Sequence, residues 1–189
     1  MRIISGELKG SILYKTTGNN TRPLKDLVKE SIFNLLIHSN KITFQFEKSK
    51  ILDLYAGTGS FGLECLSRKA DVVNFVEKEK QALKILQKNI EKLEVKSKSK
   101  ILSDDVFELI EKENVFDTKF DLIFCDPPFK SKNIEDLVKL ILNKNILKEN
   151  GIIIIHRNKV TKEKFPNSFK IIEERIYGLS KITFGKFLF

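Results

Sequence analysis

From about Lys50 onward, short apolar runs alternate with stretches in which apolar residues recur every third or fourth position. A continuous apolar run of this length fits a strand buried on both faces, and the longer period fits an amphipathic helix packed on it. The runs predict strands over Lys50–Tyr55, Val72–Glu77, Lys100–Leu102, Phe120–Cys125, Ile152–Ile155, Phe169–Tyr177 and Ile182–Phe189. Helices are predicted over Ser60–Lys69, Glu79–Leu93, Val106–Glu113 and Ile134–Leu147. Asn133 and Asp136 are spaced to cap the start of the last helix, and Asn150-Gly151 is its expected stop. Repeated β-α units mean an α/β fold with a mostly parallel sheet covered on both faces. The last two strands, around Gly178, read as a hairpin that gives this sheet an antiparallel edge.

Residues 1–40 do not share the alternation and are expected to form an extension, with residues 41–189 as the main domain. Two short strands are predicted around Gly6–Gly10, then a polar stretch TTGNNTRP, then a helix over Leu24–Ile37. Leu27, Val28, Ser31, Ile32, Leu35 and Leu36 fall on one side of that helix.

With 189 residues, 41% of them hydrophobic, the chain has material for one well-packed domain. The formal charge of +9 favours an anionic partner such as nucleic acid, although 29 of the 34 basic residues are Lys and can be spread over solvated faces. Lys80, Lys84, Lys88 and Lys92 recur along one helix face, where like charges oppose the helix slightly. Cys65 and Cys125 fit neither a disulfide framework nor a zinc site, and no metal ligand set is recognisable. His38 and His156 match no metal or triad spacing and are read as structural. No signal peptide or membrane span is apparent, so a monomeric cytoplasmic protein is expected.

The stretch DLYAGTGSFG, Asp53 to Gly62, contains G-x-G-x-x-G between a predicted strand and helix. Such a turn serves dinucleotides and other nucleoside cofactors alike, because Gly57 and Gly59 admit positive φ and Gly62 lets the helix lie close to its strand. A pyrophosphate would rest on the N–H groups at Ser60–Gly62. Asp53, four residues before Gly57, would repel it and would attract a cation. S-adenosylmethionine carries an ammonium and a sulfonium there. Glu77, ending the second strand, is placed for both ribose hydroxyls, and Asp104-Asp105-Val106 after the third strand for the adenine. SDDVFELI is also a good helix start, and capping is compatible with that contact. The expected cofactor residues are therefore Asp53, Ala56, Gly57, Thr58, Gly59 and Gly62 of the loop, Glu77 and Lys78, Asp105 and Val106, and Asp126.

Asp126-Pro127-Pro128-Phe129 follows the fourth strand. If the first and fourth strands flank the point where strand order reverses, this motif and the glycine loop form one site. Two prolines stiffen the backbone, so that the Asp126 carboxylate and the Pro127 carbonyl can accept both N–H bonds of an exocyclic amine and localise its lone pair. Phe129 would stack on the base, a contact of about 1–3 kcal/mol. Cys125, within the apolar run, is read as a buried thiol.

Taken together, MRIISGELKG, TRPLKDLVKESIFNLL, ILDLYAGTGSFGLECLSR, VEKEKQAL, FDLIFCDPPF and the late Tyr177-Gly178 resemble the bacterial RsmD-type 16S rRNA guanine-N2 methyltransferases over nearly the whole chain. The resemblance implies a Rossmann-like class I methyltransferase with a seven-stranded sheet and S-adenosylmethionine as cofactor. The acceptor it implies is the 2-amino group of guanine 966 in 16S rRNA, within a 30S assembly particle. It also implies that Thr21, Arg22 and Pro23 close over substrate and cofactor, with Arg22 reaching an RNA phosphate or the cofactor carboxylate. The family commonly has an acidic residue and His after the fifth strand where this chain has His156-Arg157, so no role carries over there. The rival readings are a DNA adenine-N6 or protein-glutamine methyltransferase, a dinucleotide-dependent oxidoreductase, and an RNA-binding assembly factor without turnover.

Overall fold

The computed structural model describes residues 1–16, 26–128, 131 and 133–188. Seven strands form one sheet: β1 (Lys50–Leu54), β2 (Val72–Val76), β3 (Ser99–Leu102), β4 (Phe120–Cys125), β5 (Leu147–Asn158), β6 (Phe169–Tyr177) and β7 (Ser180–Phe187). Their order is β3-β2-β1-β4-β5-β7-β6. The first five run parallel, and β7 is antiparallel to both β5 and β6. The hairpin at Gly178 therefore forms as expected, with its second strand tucked inside and β6 left at the edge.

Helices α1 (Asp26–His38), α2 (Ser60–Ser67) and α3 (Lys80–Lys92) contribute to one apolar cluster, and α4 (Val106–Glu111) and α5 (Ile134–Asn143) to a second. Alternate strand residues divide between them: Ile51, Leu122 and Ile154 join the first, and Leu52, Ile123 and Ile153 the second. This period-two division of continuous apolar strands is what a sheet covered on both sides requires. A fully buried Phe or Ile contributes about 1.5–3 kcal/mol.

Three sequence expectations need correction. The last helix stops at Asn143, and Asn145 takes a left-handed φ of 51°. Leu147 already pairs with Phe120, and a bulge lies between that pair and Leu122–Ile152. Pairing with β4 thus overrides the helical pattern over Leu147–Gly151. Asn133 occupies the N-cap position but makes no side-chain capping bond. In α1 the buried residues are Val28, Lys29, Ile32, Phe33 and Leu36, while Leu27 is exposed, so the inner face is rotated from the predicted one.

The N-terminal strands reduce to one bridge, Arg2 to Ile12, supported by hydrogen bonds between the Ile3 N–H and the Ser11 carbonyl and between the Gly10 N–H and the Ile3 carbonyl. Ile3 and Leu13 are buried in the same cluster as α1 and α2. Glu64 of α2 accepts from the Ile4 and Ser5 N–H groups, from Arg68, and pairs with the buried Lys29 ammonium at 3.6 Å. Lys29 also donates to the Arg2 carbonyl and to the Ser60 hydroxyl at the start of α2. Burial lowers the Lys29 pKa, and these partners offset the cost of an ammonium away from water.

Candidate active site

Strand order reverses between β1 and β4, and both predicted motifs leave the sheet there. The Asp126 N–H reaches the Leu54 carbonyl at 3.4 Å, which ties the two strand ends together. Beyond β1 the chain turns sharply. Tyr55 takes φ 60°, Gly57 φ 56° and Gly59 φ 83°, the left-handed region that glycine enters without steric cost.

The glycines have different tasks. A Cβ on Gly62 would lie 2.3 Å from Phe75, and one on Gly59 would lie 2.4 Å from Leu86 of α3. Gly62 is glycine because α2 lies close on strand β2, and Gly59 because α3 packs close upon the loop. A Cβ on Gly57 would meet nothing within 4 Å. Gly57 is thus the one of the three that faces open space, where a ligand can lie against the backbone.

Asp53 is buried, and its carboxylate accepts from the Gly62 N–H at 3.0 Å in the first turn of α2. The amide that a pyrophosphate would use is already taken by the protein's own anion. Burial pushes the Asp53 pKa up to about 8; the Gly62 N–H pulls it down, and the nearby Asp126 and Glu77 carboxylates raise it further. Asp53 with the neighbouring Asp126 and Glu77 puts three carboxylates beside the turn, an arrangement suited to a cation.

Glu77 follows β2. One of its oxygens accepts from the Gly57 N–H at 2.7 Å, and the other from the Lys78 and Glu79 N–H groups. Lys78 reaches across to Asp105 at 2.8 Å, and Asp105 caps α4 by accepting from Phe107 and Glu108. The Lys78 hydrogen bond holds the Asp105 carboxyl below its ordinary pKa range. Val106 is buried behind it, and Asp104 pairs with Lys112. The predicted cofactor residues Asp53, Ala56, Gly57, Thr58, Gly59, Gly62, Glu77, Lys78, Asp105 and Val106 accordingly lie at the carboxyl ends of β1, β2 and β3 and on the turns that follow.

Asp126 is partly exposed. Pro127 is buried and Pro128 exposed, and the Pro128 carbonyl accepts from Ser131 N–H at 2.8 Å and from Arg157 at 3.2 Å. Among the described residues the Pro127 carbonyl accepts no hydrogen bond. Phe129, Thr21, Arg22 and Pro23 lie outside the described residues. Cys125 is buried, and burial raises its thiol pKa, so it is no nucleophile.

Two site residues escaped the sequence reading. His156 Nδ1 lies 2.8 Å from Asp126 Oδ1, and His156 Nε2 lies 2.9 Å from the Ser180 hydroxyl. Arg157, also buried, donates to the Pro128 and Ser131 carbonyls and to Glu163, which Lys181 binds from its other side. Burial opposes the Glu163 charge, but Lys181, Thr161 and Arg157 together hold its pKa below the ordinary value. The signal lies in the strand register: β4 and β5 run parallel with Cys125 opposite Ile155, so the next residues, Asp126 and His156, are neighbours.

The sheet order, the glycine turn closed by its own carboxylate, and the D-P-P motif at the crossover define a class I methyltransferase. A family model described as "Conserved hypothetical protein 95" matches residues 1–186, and the chain belongs to that family, the RsmD type. YlbH of Bacillus subtilis is 33% identical over 187 residues, covering 98% of each chain. Ribosomal RNA small subunit methyltransferase D of Haemophilus influenzae is 31% identical over 180 residues, covering 95% of this chain and 90% of its own. The solved structure of yhhF from Escherichia coli superposes with a TM-score of 0.84 at 23% identity, covering 99% of this chain and 97% of its own. Enzymes of this class draw their methyl group from S-adenosylmethionine, and the open face of Gly57 beside three carboxylates fits that cation. No described helix is long and apolar enough to cross a membrane.

Proposed function

We propose that the chain methylates the exocyclic 2-amino group of a guanine in 16S rRNA, guanine 966 by likeness to its family, with a small-subunit assembly particle as substrate. The observation that carries this reading is Asp126, a partly exposed carboxylate fixed on one oxygen, next to the unengaged Pro127 carbonyl. Two acceptors on a rigid turn match the two N–H bonds of one amine. The relative in Haemophilus influenzae, named for the small-subunit RNA, supplies the substrate class.

S-adenosylmethionine bound along the glycine turn would supply a methyl group on a sulfonium. Glu77 would hold its ribose, Asp105 and Val106 its adenine, and Gly57 its amino-acid end. Asp126 and Pro127 accept the amine hydrogens, which keeps the nitrogen lone pair out of the ring and aimed at the methyl carbon. The amine so held would accept the methyl group, its new C–N bond replacing the S–C bond of the sulfonium. The proton that the alkylated amine sheds would pass to Asp126 or to water. Alignment and electrostatics suffice for such a displacement, without a covalent enzyme intermediate.

The test is transfer of labelled methyl groups to unmodified small-subunit rRNA, naked and in particles, followed by nucleoside mass spectrometry. N2-methylguanosine at one site is the expected product. Methyladenine in DNA, methylglutamine in protein, or binding of NAD(P) without S-adenosylhomocysteine would each overturn the assignment.

A further inference from the structure

We propose that His156 is a positioning residue for methyl transfer, fixing the Asp126 carboxylate from behind with Ser180 as its own anchor; this role rests on the amine-binding assignment of Asp126 above. The three side chains form a line from the site into the core. Asp126 has 20% of its side chain exposed, His156 6%, and Ser180 is buried. A carboxylate can only accept, so His156 Nδ1 carries the hydrogen and donates to Asp126 Oδ1. In the neutral ring Nε2 is then the acceptor, and the Ser180 hydroxyl donates to it. Asp126 thereby fixes the tautomer, and Ser180 satisfies Nε2 and anchors the ring that faces Asp126.

The same three residue types serve hydrolases, but here the order is inverted. The hydroxyl lies at the buried end and the carboxylate faces the ligand, so Ser180 is no nucleophile. What the array supplies is a fixed carboxyl plane. With Oδ1 held by His156, rotation of the carboxyl group is opposed and Oδ2 stays in place to accept from a substrate amine. The neighbouring residue completes the arrangement. His156 holds the Asp126 side chain, while Arg157, next on the strand, holds the Pro128 and Ser131 carbonyls of the following loop. Two consecutive residues of β5 thus immobilise the side chain and the backbone of the D-P-P turn. Positioning of this kind acts on the rate of transfer more than on cofactor binding, because His156 acts through Asp126, which is assigned to the amine.

The experiment compares His156→Leu, His156→Asn, Ser180→Ala and the double variant His156→Asn/Ser180→Ala in single-turnover methyl transfer to small-subunit rRNA. S-adenosylhomocysteine affinity by calorimetry and the melting temperature are measured alongside. His156→Leu removes the donor to Asp126 and should slow transfer about 10- to 100-fold, with cofactor affinity within about 3-fold. An Asn amide nitrogen can take the place of Nδ1, so His156→Asn should recover transfer to within about 5-fold of the unsubstituted protein. Ser180→Ala should slow transfer several-fold alone, yet add nothing in the His156→Asn background, where no Nε2 remains to be anchored. A merely structural role predicts a lower melting temperature without rescue by Asn, and independent effects at the two positions. If His156→Leu does not fold, the Asn and Ser180 variants carry the same comparison. Unchanged transfer in a folded His156→Leu, or no rescue by Asn, overturns this role alone. Absence of transfer by the unsubstituted protein overturns the functional reading and this role with it.

Discussion

Asp53→Asn should stabilise the ligand-free protein while weakening its hold on the cofactor. Asn keeps an oxygen to accept the Gly62 N–H and differs from Asp by little in volume, so the substitution isolates the charge. The Asp53 pKa is raised from 3.8 to about 8, chiefly by burial. An acid raised in the folded state binds protons more tightly there than when unfolded. Its contribution is therefore fully present below about pH 4 and is lost progressively as the pH rises to about 8. Between pH 5.5 and 8 the wild-type protein should lose about 3 kcal/mol that the Asn variant keeps, at about 1.4 kcal/mol per pH unit. For a domain of this size that widens the gap in melting temperature by about 6–12 °C. Thermal unfolding at the two pH values measures it. Calorimetry with S-adenosylmethionine should show affinity rising from pH 6 to 8.5 in the wild type, as Asp53 ionises to meet the cation, and a flat, about 10- to 100-fold weaker profile in the variant. A gap in melting temperature that does not widen with pH, or cofactor affinity untouched by the substitution, would refute the reasoning.

Asp126→Ala should slow methyl transfer at least about 100-fold with S-adenosylhomocysteine affinity preserved, as single-turnover assay and calorimetry would show. Gly62→Ala drives a methyl group to 2.3 Å from Phe75 and should cost about 1–3 kcal/mol by thermal unfolding, a packing effect that requires no ligand. Arg157→Met leaves Glu163 to Lys181 and Thr161 and frees the Pro128 and Ser131 carbonyls. Stability should fall by about 3–5 kcal/mol in denaturant titration, and transfer should suffer more than cofactor binding.

The β-α alternation, the five parallel strands and the meeting of the glycine loop with Asp126 were legible in the chain because buried parallel strands leave continuous apolar runs that patterned helices punctuate. The helix end beyond Asn143 was not, because Leu147 satisfies either a helix or the pairing with Phe120, and only the neighbouring strand decides. The inner face of α1 was misjudged for a similar reason. Lys29 is buried through its long-range partners Arg2, Ser60 and Glu64, which local periodicity cannot register. His156 and Arg157 looked like an ordinary polar strand end. Their roles come from the register of β5 against β4 and β7, a property of pairs of segments and invisible to any one of them.

Asn89 of α3 carries a consequence for the order in which the chain folds. Its buried side chain accepts from the Tyr14 N–H and donates to the carbonyls of Tyr14 and of Thr58 in the glycine loop. Other partners of the N-terminal residues are equally remote in sequence: Glu64 for Ile4, Ser67 for Leu8 and Lys92 for Ile12. At about 5–20 residues per second of synthesis, the first residues to emerge wait several seconds for the helix that will hold them. Contacts so distant close late and slowly, once the intervening strands have paired. Asn89 thus holds the end of the N-terminal segment and the cofactor loop at once, so a chain stalled before α3 would leave Tyr14 and Thr58 without their shared partner.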